Sequence, residues 1–411
     1  MNNIYAREPV FNLKKQLFAY QFVYRNQTNG AYPIDMSTLS VNNEPIHGLS
    51  IDELLQVGKT IVNLNIDEID IFREHFSPDD VIVEVSGITA QPSFRETFKI
   101  ESLKKAGFEI VISLYHAQLP ELLTIANYVK CEVLHTTPSE IRELKAKLVN
   151  KNAKIIATQV HSYFQFEQCQ SLGIDYVQGF FFLEPATNTN KPAPTSKLAN
   201  MQLMMEMAKS ELDVKNLQHV FETDPTLSFM LMKFINNPLV NKSYKITSIR
   251  HALNYLGELM VRRFVAIVSL ASLNSDKPNE LLNLSLSRAK FCELVDAECE
   301  GSADAMSAFL VGLFSLLDVI LDKPLRVLIE GLGLDDKIEQ ALIHKQGHLY
   351  GVLACVRAIE TGDWNELIAS GNRLSLTQDF MIETHREAMR WQYDMTKAMS
   401  PCFPVTSPGY T

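Results

Sequence analysis

Polar side chains lie in or beside several apolar, β-rich runs in the first half of this chain. Examples are Arg25, Asn63, Glu84, Lys130 and Gln178. An arginine can bind a phosphate through two parallel hydrogen bonds. A pair of divalent ions needs several oxygen ligands, mostly carboxylates. Glu84 alone in the set is a carboxylate, so the residue types favour contacts with an anion over metal-dependent hydrolysis.

Four of these side chains lie within runs that read as strands separated by helical segments, and Arg25 follows the first such run. The predicted strands are Leu17–Tyr24, Thr60–Ile66, Val81–Val85, Glu109–Leu114, Tyr128–Glu132, Lys154–Thr158 and Tyr176–Phe182. The predicted helices between them are Ile51–Leu55, Phe94–Ala106, Leu119–Ala126, Ser139–Asn150 and Tyr163–Leu172. Such alternation predicts a mainly parallel sheet. In a parallel barrel, the carboxyl ends of the strands carry the chemistry.

A Pro-containing polar segment divides the chain. Residues 187–197 read Thr-Asn-Thr-Asn-Lys-Pro-Ala-Pro-Thr-Ser-Lys, a composition typical of a linker. Apolar residues at three- and four-residue spacing then predict helices almost exclusively. The predicted domains are an α/β barrel over 1–186, the linker over 187–197, an all-helical domain over 198–390 and a tail over 391–411.

Composition restricts the function further. The chain has 411 residues, a net charge of −10, 46% hydrophobic residues and 21% charged residues. An acidic chain of this kind argues against sequence-independent binding of nucleic acid. We find no signal peptide and no apolar run long enough to span a bilayer, and the scattered cysteines suit a reducing compartment. We therefore expect a cytoplasmic protein without a membrane segment.

The segment from Gly173 to Pro185, Gly-Ile-Asp-Tyr-Val-Gln-Gly-Phe-Phe-Phe-Leu-Glu-Pro, resembles the last conserved motif of EAL domains. EAL domains are (β/α)8 barrels that hydrolyse the bacterial messenger cyclic di-GMP with two divalent ions. The resemblance implies a degenerate EAL-type barrel. Shorter intervals from Gln21 to Asn63 and from Lys130 to Thr158 leave open whether the barrel is trimmed.

By that resemblance, part of the family's cleft is retained and part is replaced. The retained ligand-binding positions are Arg25, Asn63, Glu84, Lys130 and Gln178. The replaced catalytic positions are Gln21, Ser113, Leu114, Thr158 and His161. Gln21 stands at the first metal ligand, and a second glutamate of the motif around Glu84 falls at Gly87.

The replacements remove most of the negative charge that paired divalent ions require. One carboxylate with amides cannot offset about four positive charges in a partly dry cleft. We therefore expect no bound metal, no cofactor and no catalytic residue in this barrel. No Ser-His-Asp or Cys-His arrangement and no phosphate-binding glycine loop is evident, which disfavours a hydrolase of another kind.

The second domain resembles an HDOD domain, a helical output module related in fold to HD phosphohydrolases. The resemblance rests on Phe221–Ser228, on Leu231–Asn237 and on Ile246–Gly257. HDOD domains lack the metal-binding His-Asp dyad, and no His-Asp dipeptide occurs in this chain. His344 and His348 have the spacing of two ligands on one helix face, although solvent-facing histidines are the preferred interpretation.

The combined resemblance implies a bacterial EAL–HDOD signalling protein. The leading hypothesis is a catalytically inactive regulatory scaffold that binds a protein partner in cyclic di-GMP-linked control of motility or biofilm formation. The alternative is a cyclic di-GMP receptor that binds without hydrolysis through the retained positions. The identity of the partner and a homodimer are left open.

Overall fold

The computed structural model places two compact units along the chain, residues 1–184 and residues 185–407. It describes residues 4–26, 30–33, 59–72, 76–184, 203, 214–237, 240, 245–274, 277–299, 304–361 and 363–399. The predicted linker 187–197 and the predicted helix Ile51–Leu55 lie outside the described residues. The domain boundaries therefore stay predictions.

The first unit is a closed barrel, so the predicted fold class is confirmed. Its strands are β1 Ile4–Asn12, β2 Leu17–Asn26, β3 Gly30–Pro33, β4 Thr60–Asn65, β5 Val81–Ser86, β6 Glu109–Ser113, β7 Tyr128–Glu132, β8 Lys154–Thr158 and β9 Tyr176–Gln178. The sheet runs β1-β9-β8-β7-β6-β5-β4-β2-β3, and pairing of β1 with β2 closes it. Strand β3 extends β2 as a hairpin.

Strand β1 was not predicted, and it makes the closure possible. It pairs antiparallel with both β2 and β9, whereas the other neighbours around the barrel pair in parallel. Its sequence contains Arg7, Glu8 and Pro9, which interrupt the β-rich pattern that revealed the other strands. The barrel is thus complete, and the short intervals between its motifs do not open it.

An apolar cluster fills the middle of the barrel. It consists of Val10, Ala19, Ile61, Ile82, Val111, Tyr128 and Ile156, with Phe18 and Tyr176 packed against it. Because strand side chains alternate between faces, these members define the inner face of each strand. The residues two positions away on the same strands therefore face the interior as well.

Helix α1 Ile69–Phe72 of the barrel was not predicted, whereas the next four helices lie close to their predicted ranges. These four are α2 Phe94–Lys105, α3 Pro120–Ile125, α4 Pro138–Leu148 and α5 Tyr163–Ser171. Capping boxes begin α2, α4 and α5, where Ser93, Thr137 and Ser162 accept from the third helical backbone N–H. Each such cap satisfies backbone donors that a helix start leaves free.

The second unit is helical throughout its described residues. Its helices are α6 Val214–Thr223, α7 Pro225–Ile235, α8 Ile249–Leu273, α9 Asn279–Glu298, α10 Ala305–Phe314, α11 Leu317–Leu321, α12 Leu325–Leu332, α13 Asp336–Glu339, α14 His348–Thr361, α15 Trp364–Leu374 and α16 Gln378–Met399. A π-helical turn, Gln340–His344, follows α13. Gly257, with φ of 71°, kinks α8.

The end of the chain differs from the prediction. Helix α16 continues to Met399, well into the segment 391–411 that was assigned to the tail. Gln392, Met395 and Ala398 are buried, and this burial explains why the helix continues. Residues 400–411 lie outside the described residues. Within the described part of the chain, no helix is long and apolar enough to span a bilayer.

Candidate functional site

A layer of polar side chains lies on the inner face of the barrel beside the apolar cluster. Its members are Glu8, Gln21, Asn63, Glu84, Ser113, Lys130, Thr158 and Gln178. Each member lies two positions along its strand from a residue that belongs to the apolar cluster or packs against that cluster. Because side chains alternate between the two faces of a strand, each member therefore points inward. In each parallel strand the polar residue comes after the apolar residue, so the layer lies at the carboxyl ends of these strands.

Gln21, Glu84 and Lys130 form the centre of this layer. The Lys130 ammonium lies 2.7 Å from Glu84 Oε2, and it also donates to Gln21 Oε1. Gln21 Nε2 donates to the same Glu84 oxygen at 2.9 Å. The Lys130 and Glu84 side chains are 10% and 16% exposed, so solvent screens the pair weakly. The lysine thus neutralises the carboxylate in this part of the layer.

Gln178 occupies the adjoining part of the layer. Its Nε2 donates to Glu8 Oε2 at 2.8 Å. Its Oε1 is buried, and no donor of the described residues bonds to it. Gly179 holds this segment close to β8, because a Cβ there would lie 2.3 Å from the Val160 carbonyl oxygen.

Asn63 bonds within the sheet. Its Oδ1 accepts a hydrogen bond of 2.6 Å from Ser86 Oγ on the neighbouring strand. Gly87, the residue after Ser86, has φ of +72°, and a Cβ there would meet the Asn65 side chain at 3.0 Å. A glutamate at position 87, as the EAL resemblance would require, is therefore strained in this backbone.

Ser113 and His116 form a pair that sequence reasoning missed. Ser113 Oγ lies 2.9 Å from His116 Nδ1, and His116 Nε2 lies 3.3 Å from the Ile88 carbonyl oxygen. The serine and histidine are three residues apart in the chain. A serine at a strand end followed by a nearby histidine is the only sequence signal for this pair. The Ile88 carbonyl belongs to another loop, and nothing in the sequence predicts its contact with His116.

The other replaced positions contribute less to the layer. Thr158 Oγ1 makes a long contact of 3.5 Å with the Cys131 carbonyl. His161 is exposed and lies outside the layer. Leu114 lines a cavity of about 290 Å³ with Tyr115, Gln118, Glu140, Glu143 and Leu144. Arg25 lies on β2, paired in register with Ile4 and Ala31; its side chain lies outside the described residues.

No cluster of three or more metal-binding side chains exists among the described residues. The layer contains the carboxylates of Glu8 and Glu84, and these bond to the Gln178 amide and to Lys130 respectively. The amides of Gln21, Asn63 and Gln178 carry no charge. The donors of the layer therefore fit a polar or anionic ligand better than a pair of divalent ions.

The helical unit holds its own charged groups in pairs. Arg288 is buried, and its guanidinium binds Glu360 through bonds of 2.6 to 3.1 Å and Ser315 Oγ at 3.0 Å. Arg263 pairs with Glu293 at 2.7 Å. The packing around these groups is dense, since a Cβ on Gly312 would lie 2.4 Å from the Arg288 carbonyl oxygen.

His344 and His348 do not share a helix face. Lys345, with φ of 54°, and Gly347, with φ of 85°, separate the π-helical turn from α14. His348 Nε2 lies 2.9 Å from the buried Asp296 carboxylate. His348 is thus half-buried and paired, in contrast to the solvent-facing histidine that was preferred from the sequence.

Comparison with known proteins identifies an HDOD match and two relatives of similar length. The family model described as HDOD domain matches residues 193–320. A curated Bacillus subtilis protein, the uncharacterized protein YuxH, is 27% identical over 410 residues, which cover 96% of this chain and 98% of that protein. The Vibrio cholerae protein named cyclic di-GMP phosphodiesterase CdgJ is 26% identical over 405 residues, covering 95% of this chain and 93% of the relative.

Solved structures with EAL domains also match, at low similarity. An EAL domain protein of Listeria monocytogenes is 15% identical, covers 44% of this chain and 87% of its own, and has a TM-score of 0.29. The Bacillus subtilis YkuI protein, solved with cyclic di-GMP and calcium, is 9% identical, covers 64% and 72%, and has a TM-score of 0.33. The HDOD resemblance of the second domain is thus confirmed by the family model, whereas the EAL assignment of the barrel stays a prediction.

Proposed function

We propose that this chain is a catalytically inactive regulatory protein of cyclic di-GMP-linked signalling that acts by binding a protein partner. The relative named a cyclic di-GMP phosphodiesterase extends over nearly the same length, which supports the signalling context. That relative's name also makes hydrolysis the competing function. The partner belongs to a signalling pathway, for example a diguanylate cyclase, a phosphodiesterase or a kinase.

One observation carries the loss of catalysis: the Lys130 ammonium and the Gln21 amide both bond to Glu84 Oε2. A carboxylate that is already neutralised attracts a divalent ion weakly. Gln21 supplies a neutral oxygen where the EAL resemblance calls for a carboxylate. The strain expected at position 87 argues against a nearby substitute. Two ions and their activated water would therefore lack the negative charge that such sites use.

A hydrolysis assay with a matched variant tests this proposal. The purified full chain is incubated with cyclic di-GMP and either Mg²⁺ or Mn²⁺, and the linear dinucleotide is quantified. We expect no product above background. Glu84→Gln is the control, because it removes the carboxylate at similar volume. Turnover that the wild type shows and this variant loses would overturn the proposal, whereas turnover equal in both would come from a contaminant.

Exposed apolar side chains support a role in protein binding. Phe94 is 87% exposed, Phe98 is 56% exposed and Phe164 is 69% exposed, all on helices that follow barrel strands. Large exposed aromatic residues are enriched at protein interfaces. Affinity isolation of the tagged chain from its native cell should recover a partner in stoichiometric amount. The double variant Phe94→Ser/Phe98→Ser should keep the melting temperature of the wild type. If these residues bind the partner, this variant should no longer recover that partner.

A cyclic di-GMP receptor is the second candidate function. It is favoured by Gln178, whose buried Oε1 accepts no hydrogen bond from any described residue. A ligand with N–H donors would complete that hydrogen bond, and leaving such an atom unpaired costs about 1–3 kcal/mol. Arg25 and Lys130 would supply positive charge for the phosphates under the EAL resemblance.

Calorimetry separates the receptor from a protein that ignores the nucleotide. Titration of the full chain with cyclic di-GMP should give a dissociation constant of about 1 µM or lower if the chain is a receptor. Gln178→Leu should then weaken binding by about tenfold or more, because it removes the acceptor while it keeps the volume. Absence of heat at high ligand concentration would remove the receptor candidate without affecting the inactive-scaffold proposal.

A further inference from the structure

The hydrogen-bonded chain from Ser113 through His116 to the Ile88 carbonyl has no role in the proposed function. Ser113 Oγ is 2.9 Å from His116 Nδ1, and His116 Nε2 is 3.3 Å from the Ile88 oxygen. Both side chains are half-buried, so small molecules can reach them. The pair lies at the carboxyl end of β6, where barrel proteins place reactive groups.

The Ile88 carbonyl determines which nitrogen of His116 carries the proton. A carbonyl oxygen only accepts hydrogen bonds, so the neutral imidazole donates from Nε2. Nδ1 then has a free lone pair and accepts the proton of the Ser113 hydroxyl. This order of nucleophile, base and orienting acceptor is the arrangement that activates a serine.

Lys130 lies on the neighbouring strand. It is the register partner of Ser113 in the pairing of β6 with β7, and both belong to the inner polar layer. Its ammonium bonds to Glu84 and Gln21, so the Ser113–His116 pair has a charge-neutralised neighbour.

We propose that Ser113 is a nucleophile, activated by His116, that accepts an acyl group from small esters. Ser113 Oγ bonds to the ester carbonyl carbon while its proton passes to His116 Nδ1. The carbon–oxygen bond to the alcohol breaks, and the imidazolium returns the proton to the departing oxygen. Water then attacks the acyl-serine, His116 takes its proton, and Ser113 regains a hydrogen as the acid leaves.

This activity is separate from the proposed regulatory function, in which the inactivity concerns metal-dependent hydrolysis of the cyclic dinucleotide. It involves neither the cyclic dinucleotide nor a divalent ion, so failure of one leaves the other intact. The orienting group is a neutral carbonyl in place of a carboxylate, which stabilises the imidazolium less. A slow reaction with activated esters is therefore expected, and a covalent probe is the appropriate readout.

Labelling with a fluorophosphonate tests the inference on the full chain. Ser113 Oγ bonds to phosphorus, fluoride leaves, and the proton passes to His116. Peptide mapping should place one adduct on Ser113, formed faster than any on Ser102, a half-buried serine whose hydroxyl donates to the Lys99 carbonyl. His116→Asn should slow labelling of Ser113 by about a hundredfold, and imidazole added to that variant should restore part of the rate.

His135→Asn is the matched control, since this exposed histidine lies outside the layer and should leave the labelling rate unchanged. A serine hydrolase added to the same tube reports that the probe is active. Absence of an adduct on Ser113 while that hydrolase is labelled would overturn the inference, as would equal labelling of Ser113 in the wild type and in His116→Asn. If His116→Asn fails to fold, the Ser113-to-Ser102 ratio in the wild type decides: a ratio near one rejects the inference.

Discussion

The barrel layer and the helical unit both hold a charged pair away from water, but in different surroundings. Glu84 and Lys130 lie among amides and hydroxyls at the carboxyl ends of the strands. Arg288 and Glu360 lie between closely packed helices, with the buried thiol of Cys292 near Arg288. The barrel pair therefore belongs to a surface that a ligand could meet, whereas the helical pair is part of a core.

The two charged pairs therefore have different roles, one in the charge of the candidate site and one in the packing of the helical core. In the barrel, neutralisation by Lys130 removes the affinity for cations that a lone carboxylate would have. In the helical unit, the Arg288–Glu360 pair satisfies groups whose burial would otherwise cost several kcal/mol. Loss of a pair should thus affect function in one region and folding in the other.

The largest effect on stability is expected from Arg288→Met. It leaves the Glu360 carboxylate without its bidentate partner in a protein interior, so the free energy of unfolding of the helical unit should fall by about 3–5 kcal/mol. Urea denaturation measures this change. Arg326→Met is the control, because the Arg326–Glu330 pair is exposed and should contribute about 1 kcal/mol or less. Similar losses in both variants would contradict a core role for Arg288.

Gly312→Ala probes the packing around the same arginine. The new Cβ would lie 2.4 Å from the Arg288 carbonyl oxygen and 2.5 Å from Ala289 Cα, so α9 and α10 must separate. We expect a loss of about 1–3 kcal/mol in the free energy of unfolding. Gly331→Ala, on α12 with no atom near the added carbon, should instead raise stability by about 0.5–1 kcal/mol.

Lys130→Met tests the barrel side of the comparison. Glu84 keeps the Gln21 hydrogen bond and lies near the solvent of the barrel mouth, so the loss in unfolding free energy should be about 1–3 kcal/mol. This loss should be smaller than that of Arg288→Met in the same denaturation experiment. An equal or greater loss would show that the barrel layer also serves mainly for stability.

The smallest effect concerns buried thiols in the two units. Burial raises the pKa of Cys355 to about 12 and that of Cys169 to about 11, from an ordinary value near 9. Above pH 9 the unfolded chain loses these protons while the folded chain keeps them. The contribution of these two thiols to the free energy of unfolding should therefore be constant below pH 9 and should fall from pH 9 toward pH 12.

The measurement is a series of denaturation curves between pH 7 and pH 10.5 for the wild type, Cys355→Ala and Cys169→Ala. Because lysines and tyrosines also titrate in this range, the slope difference between wild type and variant isolates each thiol. The slope should flatten more for Cys355→Ala, since its folded-state pKa is higher. Equal slopes in all three proteins would show that these thiols do not contribute.

Much of this architecture could be predicted from local patterns. Strand β2 and strands β4 to β9 follow from apolar, β-rich runs, and helices α2 and α4 begin at the capping residues Ser93 and Thr137. Strand β1 could not be predicted, because Arg7, Glu8 and Pro9 interrupt its pattern and its partners β2 and β9 determine its role. The helical continuation to Met399 likewise depends on burial by neighbouring helices.

The sequence alone determined which residue types the candidate site contains: amides, hydroxyls and one motif carboxylate where the EAL resemblance leads one to expect several acids. It could not determine which atoms meet. Lys130 bonds to Glu84 and Gln21, and His116 bonds to the Ile88 carbonyl, only because the closed barrel brings separate strands and loops within hydrogen-bond distance. Hydrogen bonds act over a few ångströms, whereas these partners are distant in the chain, so tertiary structure decided this part of the chemistry of the site.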